Sequence, residues 1–447
     1  MKNLILFLTI VFSASPLFSE EVNSSDLKQY KKRLKLLIKG QRKPGLKDFI
    51  EEMADVDHPK TVVLIPPAAI SIPSDKNYRT ARKAIKGLKN KESVKALASM
   101  LNKKKGDPRY KVLIADSFGR RKDKITLTQI ITQLDSGIPQ VQIAAINASA
   151  QRKRKEPVPA LIDLLEKHWK LRDRIWLETR EALYKLTGRD FETIEDWRKF
   201  WQAVGDTLNP KKVAKRKGKT GVKIDKLKDP VEFFGQEIFS RNLIFVIDTS
   251  GSMRLYDDSE DYHGKNLEKD RQRLRRARDQ LVKALKKLSK GTRFNIIAYS
   301  DRVVTWQKQM KKASNGTIAS AIKFVKGFKA QGFTHTDEAL KEAFKDLGVD
   351  TIVLLSDGLP EKLRKNNQPT NVRKLMRKIL GFVKDENASR KVRIDTFGFT
   401  GTGELPRKLR GGGRPPPPPP NAKAVQLLVD FLKEIAKRTG GSFRPID

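Results

Sequence analysis

The chain has 447 residues, a net charge of +41 and no cysteine. A single hydrophobic core stops growing at about 250–300 residues, so this length predicts at least two domains. The lack of cysteine excludes disulfides, thiolate-bound metals and the acylated cysteine of a lipoprotein. The excess of lysine and arginine either promotes salt-dependent contact with polyanions or serves solubility, and composition leaves both open.

The first residues follow the order of a secretory signal peptide. Lys2 precedes the apolar stretch 4–12, and small residues then lead to Ser19. A spanning helix needs about 20 apolar residues. We therefore predict that residues 1–19 are a cleaved signal rather than an anchor. The mature chain is then expected to be extracytoplasmic, in the periplasm, in the cell envelope or secreted, without a transmembrane span.

Short helical patterns recur from residue 75 to 204. Similar segments open at Tyr78, Tyr110, Val141 and Ile175, at intervals of 32, 31 and 34 residues. A helix pair cannot bury its apolar stripe alone, so a regular period predicts helix pairs stacked into an α-solenoid. The pattern resembles HEAT repeats, although these usually have a period of about 40 residues. A compact irregular helical domain is the alternative.

Three further segments differ in composition from the folded regions around them. Residues 20–74 are interrupted by prolines, and we interpret them as lead-in or opening helices. Residues 205–235 are predicted to be a basic linker, because positions 210–228 hold nine Lys or Arg and a single acid. Residues 401–420 form a Gly/Pro-rich insertion that ends in six prolines. These prolines predict a stiff polyproline spacer or a site for a proline-binding partner.

Strands and helices alternate from residue 236 to 447. Strands are predicted at 242–248, 292–300, 351–357, 392–399 and 441–445, and helices at 267–288, 317–328, 337–347, 372–383 and 422–438. Such alternation is typical of a mostly parallel, doubly wound sheet with helices on both faces. The predicted fold class is therefore all-α followed by α/β.

Oxygen-bearing side chains lie at the ends of two predicted strands. Asp248, Ser250 and Ser252 follow one apolar strand, Asp357 closes another, and Thr334 stands before a helix. In a doubly wound sheet, the two aspartates are expected to meet where the strand order reverses. Carboxylate and hydroxyl oxygens suit a hard divalent cation such as Mg²⁺. Turn formation and helix capping are the alternative for each group taken singly.

The same five residues resemble the metal-ion-dependent adhesion site of von Willebrand factor type A domains, whose pattern is Asp-x-Ser-x-Ser, a distant Thr and a distant Asp. The resemblance covers roughly residues 240–447 and is carried by the order and context of the ligands. It implies a Rossmann-like domain that binds Mg²⁺ or Mn²⁺, which the aspartates reach mostly through water. It also implies that an Asp or Glu of a protein partner completes the coordination sphere.

An acidic and aromatic segment, residues 254–266, directly follows the first predicted ligands. It could shape the choice of partner, hold another cation or supply an internal carboxylate to the site. A solvated loop is the alternative.

We therefore predict a non-catalytic interaction protein, with the helical repeats as scaffold or second binding surface. Binding of cell-envelope polyanions by the cationic surface is an alternative, whereas specific nucleic-acid binding is not expected. A metal-dependent phosphohydrolase of the haloacid dehalogenase type also begins with Asp at a strand end. That chemistry requires Asp-x-Asp, and Ser250 replaces the second acid. The sequence also has no Walker loop and no Gly-x-Ser-x-Gly elbow.

Overall fold

The computed structural model describes residues 22–213, 231–257, 272–361, 371–401, 403 and 420–446. The predicted signal at 1–19 lies outside these residues, as do most of the basic linker, most of the acidic segment and most of the Gly/Pro-rich insertion. Helices make up the first part of the chain, and a sheet with flanking helices makes up the second. This arrangement confirms the predicted fold class.

The first part of the chain is helical from Ser24 to Val204. Many of these helices begin with a side chain that accepts a backbone N–H, such as Asp107, Asp123 and Asp173, or with proline in the first turn. The helices are α1 Ser24–Lys39, α2 Lys43–Val56, α3 Pro59–Val62, α4 Ile65–Ile70, α5 Asp75–Gly87, α6 Lys91–Asn102, α7 Pro108–Phe118, α8 Lys124–Gln133, α9 Pro139–Arg152, α10 Val158–His168, α11 Arg174–Thr187 and α12 Ile194–Val204.

The four regularly spaced segments lie in α5, α7, α9 and α11, which pack side by side in one row. Helix α2 extends this row at one end. The helices α6, α8 and α10 lie between the members of the row in the chain and pack on α7, α9 and α11, and α12 packs on α10. One continuous apolar core runs through the stack from Leu34 to Trp197. The prediction of stacked helical repeats is confirmed.

The second part of the chain alternates strands and helices. Its strands are β1 Glu232–Phe233, β2 Gln236–Glu237, β3 Asn242–Asp248, β4 Arg293–Tyr299, β5 Val303–Thr305, β6 Lys311–Lys312, β7 Thr351–Ser356, β8 Arg393–Phe399 and β9 Phe443–Ile446. Its helices are α13 Arg273–Lys286, α14 Asn315–Lys326, α15 Thr336–Lys345, α16 Val372–Arg390 and α17 Ala422–Thr439, with a 3₁₀ turn at Gly251–Arg254.

The main sheet has the strand order β5-β4-β3-β7-β8-β9, and β6 also pairs with β4. Strands β4, β3, β7, β8 and β9 are parallel, whereas β5 and β6 are antiparallel to β4. The chain leaves β3 towards one edge and β7 towards the other, so the strand order reverses between these two neighbours. The register pairs Ile247 with Leu355. Asp248 and Ser356 therefore end adjacent strands at the same level.

The structure differs from the predicted elements at short strands and at one helix end. The β1–β2 hairpin and the edge strands β5 and β6 span two or three residues each, too few to show a periodic pattern. Helix α16 continues seven residues beyond its predicted end at 383. This helix packs on α5 and α7 of the helical repeats. Within the sheet domain, Arg390 donates hydrogen bonds to the carbonyls of Phe344 and Asp346 at 2.8 and 2.6 Å.

Helices α9 and α11 pack against the end of the sheet where the parallel strands begin, and α5 and α7 pack against α16. Arg174 on α11 is buried and donates hydrogen bonds to the carbonyls of Asp350, directly before β7, and of Lys391, two residues before β8. Gln140 on α9 donates to the carbonyl of Val349 at 3.1 Å. Because β7 is six residues long, its far end lies about 20 Å from this junction. The repeats therefore contact the end of the sheet that lies opposite to the carboxyl ends of the strands.

None of the helices within the described residues combines the length and the apolar character needed to cross a membrane.

Candidate metal centre

The carboxylate of Asp248 is held at the end of β3 by two hydrogen bonds. Its Oδ1 accepts from the backbone N–H of Ser250 at 2.8 Å, and its Oδ2 accepts from the hydroxyl of Ser356 at 2.7 Å. Asp248 is completely buried. Because the first bond spans two residues, the chain must turn sharply after β3, and this turn directs the following side chains towards β7.

Three hydroxyl groups gather beside the two aspartates. The Oγ atoms of Ser250 and Ser252 lie 3.1 Å apart, and the Ser252 hydroxyl donates to Asp357 Oδ1 at 2.7 Å. A Cβ atom added to Gly358 would lie 3.4 Å from Thr334 Oγ1 and 3.5 Å from Ser252 Oγ. The structure thus brings the five residues selected from the sequence into one cluster at the carboxyl ends of β3 and β7. We call this position, where the strand order reverses, the switch point of the sheet.

Backbone hydrogen bonds join the three loops that carry these side chains. The N–H of Gly251 donates to the carbonyl of Gly332 at 3.0 Å, and the N–H of Gln331 donates to the carbonyl of Thr249 at 2.9 Å. The N–H of Glu361 donates to the carbonyl of Thr334 at 3.0 Å. Gly332 has φ of +76°, a conformation that favours glycine. The position of Thr334 is therefore set by the main chain.

The site concentrates negative charge away from water. Burial, together with the nearby charge of Asp357, raises the pKa of Asp248 to about 7. Burial also raises the pKa of Asp357, against the opposing effect of the Arg273 guanidinium. Both carboxyl groups are therefore more costly to ionise than exposed ones, and a cation between them would remove that cost.

A buried arginine that the sequence analysis did not select also belongs to this cluster. Arg273, at the start of α13, donates from Nη1 to Asp357 Oδ2 at 3.0 Å and from Nε to Asp257 Oδ1 at 2.7 Å. Asp257 Oδ2 in turn accepts from Arg276 at 2.6 Å. No motif marks these residues, because their partners are 16 to 84 positions away. The first acid of the segment 254–266 thus pairs with arginines, and positions 258–266 lie outside the described residues.

The donor set is oxygen-rich and fits a hard cation. Across the part of the chain that the structure describes, no group of three or more His, Cys, Asp or Glu side chains could hold a metal ion. The cluster instead combines the carboxylates of Asp248 and Asp357 with three hydroxyls. Mg²⁺ and Mn²⁺ accept such ligands and retain bound water, whereas zinc prefers nitrogen and sulfur.

Comparison with known proteins identifies the second part of the chain. The family model described as von Willebrand factor type A domain matches residues 243–359. Inter-alpha-trypsin inhibitor heavy chain H4 of Bos taurus is 27% identical over 224 residues, which cover 46% of this chain and 22% of the bovine protein. Inter alpha-trypsin inhibitor, heavy chain 4, of Mus musculus is 30% identical over 133 residues, which cover 27% of this chain and 12% of the mouse protein. The chain thus matches about a fifth or less of the length of these two relatives.

Among solved structures, the von Willebrand factor type A protein from Catenulispora acidiphila has a TM-score of 0.31 and 18% identity, over 47% of this chain and 40% of that one. An aerotolerance-related membrane protein from Bacteroides fragilis also has a TM-score of 0.31, with 16% identity over 46% of this chain and 90% of that one. The family match at 243–359 falls on the strands that form the centre of the doubly wound sheet. The family match therefore assigns a von Willebrand factor type A domain to residues 243–359, which follow a stack of helical repeats.

Proposed function

We propose that the chain is a non-catalytic, extracytoplasmic interaction protein that captures an acidic side chain of a protein partner through Mg²⁺ or Mn²⁺. The observation that carries this proposal is the convergence of three hydroxyls and two aspartates at the switch point of the sheet. Asp248, Ser250, Ser252, Thr334 and Asp357 would hold the ion. Once bound, the ion would supply an electrophilic centre for a carboxylate oxygen from outside.

The chain's own residues prepare the site for this role. The hydroxyls of Ser250 and Ser252 are neutral, so they add no negative charge that would repel a partner's carboxylate. The helical repeats pack at the amino-terminal ends of the strands. The carboxyl ends, which carry the cluster, are therefore not covered by the repeats. We therefore assign the repeats the role of scaffold or of a second binding surface.

The test measures how much partner protein from an envelope extract stays bound to the immobilised chain, once in EDTA and once in high salt. We expect EDTA to release the partner, and about 0.5 M NaCl to leave most of it bound because a metal–carboxylate contact is short and only partly screened. Ser250→Ala should weaken retention, whereas Ser314→Ala, which alters an exposed helix cap, should not. Retention in EDTA together with release by salt would contradict metal-dependent capture.

Contact with polyanions is a second candidate function, which the exposed face of α1 favours. This helix carries Lys28, Lys31, Lys32, Lys35 and Lys39, all solvent-exposed. A row of this kind attracts polyanions and loses them as salt rises. If the partner stayed bound in EDTA and were released by high salt, the retention experiment would support this function instead.

The stabilising effect of Mg²⁺ is expected to increase with pH. The pKa of Asp248 is raised in the folded chain, to about 7, so the metal-free fold loses stability as the pH rises through that value. The ion requires the ionised carboxylate, and it should therefore raise the melting temperature more at pH 8 than at pH 6. Differential scanning fluorimetry with and without 5 mM MgCl₂ measures this. An equal shift at both pH values would contradict ligation by Asp248.

A further inference from the structure

Arg273 occupies an unusual position for a cation, in the interior and in contact with one of the proposed metal ligands. Its side chain is 0% exposed. It contacts Asp357 Oδ2 at 3.0 Å, Asp257 Oδ1 at 2.7 Å and the carbonyl of Gly401 at 2.7 Å. A buried guanidinium is retained only where its charge is compensated and its donors are satisfied. These three acceptors meet that condition.

The two carboxylate oxygens of Asp357 accept hydrogen bonds from different donors. Oδ2 accepts from Arg273, and Oδ1 accepts from the hydroxyl of Ser252 at 2.7 Å. Only Oδ1 faces the cluster of serine hydroxyls. Arg273 thus orients the carboxylate, so that Oδ1 is the oxygen of Asp357 on the side of the serine hydroxyls.

The charges around the site can be counted from these contacts. The carboxylates of Asp248, Asp357 and Asp257 contribute three negative charges, and Arg273 and Arg276 contribute two positive ones. Among the described residues, these five ionised groups therefore sum to −1, since three negative charges are offset by two positive ones. A divalent ion would change this to +1, a value that attracts an external carboxylate. Without Arg273, the same sum over the described residues of the loaded site would be one unit lower.

We propose that Arg273 sets the balance between metal affinity and carboxylate capture in this site. Its positive charge lowers the affinity for the divalent ion and raises the affinity of the loaded site for an acidic ligand. Arg273 is a positioning residue, since it acts through Asp357 and through its charge. The proposal rests on the proposed function, in which an ion at this site binds a carboxylate.

The requirement for arginine follows from geometry. The three acceptors of Arg273 belong to separate segments, at positions 257, 357 and 401. The planar guanidinium presents donors in several fixed directions, whereas a lysine ammonium is a point charge on a flexible stem. Arg273→Lys should therefore retain the charge effect while losing part of the thermal stability.

The experiment compares Mn²⁺ binding by the full chain and by variants, using electron paramagnetic resonance to count free Mn²⁺. Arg273→Gln should bind Mn²⁺ more tightly than the unmodified chain, by at least about tenfold. Asp257→Asn changes the charge in the opposite direction and should bind Mn²⁺ more weakly. Arg278→Gln is the matched control on the same helix, because its contact with Lys326 is exposed, and it should leave Mn²⁺ affinity unchanged.

The second readout is titration of the Mn²⁺-loaded proteins with acetate, followed by water proton relaxation. Arg273→Gln should bind acetate several-fold more weakly than the unmodified chain, although it holds the ion more tightly. Weaker Mn²⁺ binding by folded Arg273→Gln would overturn the proposal. If that variant does not fold, a rise in Mn²⁺ affinity in Asp257→Asn, or a change of about tenfold in Arg273→Lys, would overturn it. Lack of Mn²⁺ binding by the unmodified chain would instead contradict the proposed function.

Discussion

Replacing Asp248 by asparagine is expected to weaken Mg²⁺ binding by about 10- to 100-fold and, at pH 8, to stabilise the metal-free protein. The amide oxygen can still accept from the N–H of Ser250, and the amide nitrogen can donate to the hydroxyl of Ser356. The buried charge is lost. Since the pKa of Asp248 rises from 3.8 to about 7, the gain in unfolding free energy should be on the order of 4 kcal/mol.

Calorimetric Mg²⁺ titration and urea denaturation at pH 8 measure these two effects. Asp301→Asn is the matched control, because Asp301 is an exposed aspartate that follows the neighbouring strand β4. Its hydrogen-bond donor is the hydroxyl of Ser300, which is outside the cluster. This control should retain Mg²⁺ affinity. If Asp248→Asn bound Mg²⁺ as tightly as the unmodified chain, the ligand assignment would be wrong.

Trp176→Ala is expected to lower the unfolding free energy by about 3–5 kcal/mol. Trp176, on α11, is completely buried. Its ring stacks on Phe239, which precedes β3, with centroids 5.5 Å apart, and the guanidiniums of Arg172 and Arg180 lie 4.4 and 4.9 Å from its centroid. Truncation would leave a cavity at the junction between the repeats and the sheet. We therefore also expect the repeats and the sheet domain of this variant to unfold in separate urea transitions.

Two other variants test whether the cavity causes this effect. The indole N–H of Trp176 has no hydrogen-bond partner among the described residues, so Trp176→Phe should retain more than half of the stability that the alanine variant loses. Trp201→Ala, at a partly buried tryptophan of α12, should cost less than Trp176→Ala. A loss below about 1 kcal/mol for Trp176→Ala, measured by urea denaturation, would contradict the packing at this junction.

Much of the candidate site could be predicted because its residues follow local rules. Asp248 and Asp357 each come directly after a strongly apolar run, and the ends of parallel strands share one edge of a sheet. The spacing of Ser250 and Ser252 after Asp248 is also local. Their convergence with Thr334 follows from the doubly wound order, which the alternation of strands and helices predicts. Whether the cluster holds Mg²⁺ or Mn²⁺ stays a prediction.

Other features depend on contacts between distant positions and left no pattern in the sequence. Arg273 looks like one more basic residue of a cationic helix, and only the fold brings it to Asp357, 84 positions away. The last turns of α16 carry polar residues typical of a surface helix, yet Lys384 pairs with Asp75 at 3.0 Å across the junction. Strands β5 and β6 form because they pair with the backbone of β4 along its outer side.

The sequence by itself determined the two kinds of fold, the helix period of the repeats and the five side chains at strand and loop ends, since each depends on periodicity and on neighbouring residues. The tertiary structure alone decided which face of the repeats is covered and what lies behind the ligands. Arg174 shows the reason: its donors satisfy the carbonyls of Asp350 and Lys391, more than 170 positions away. Such pairings are selected by the packing of complete elements, because a buried charge is stable only where the assembled fold supplies acceptors.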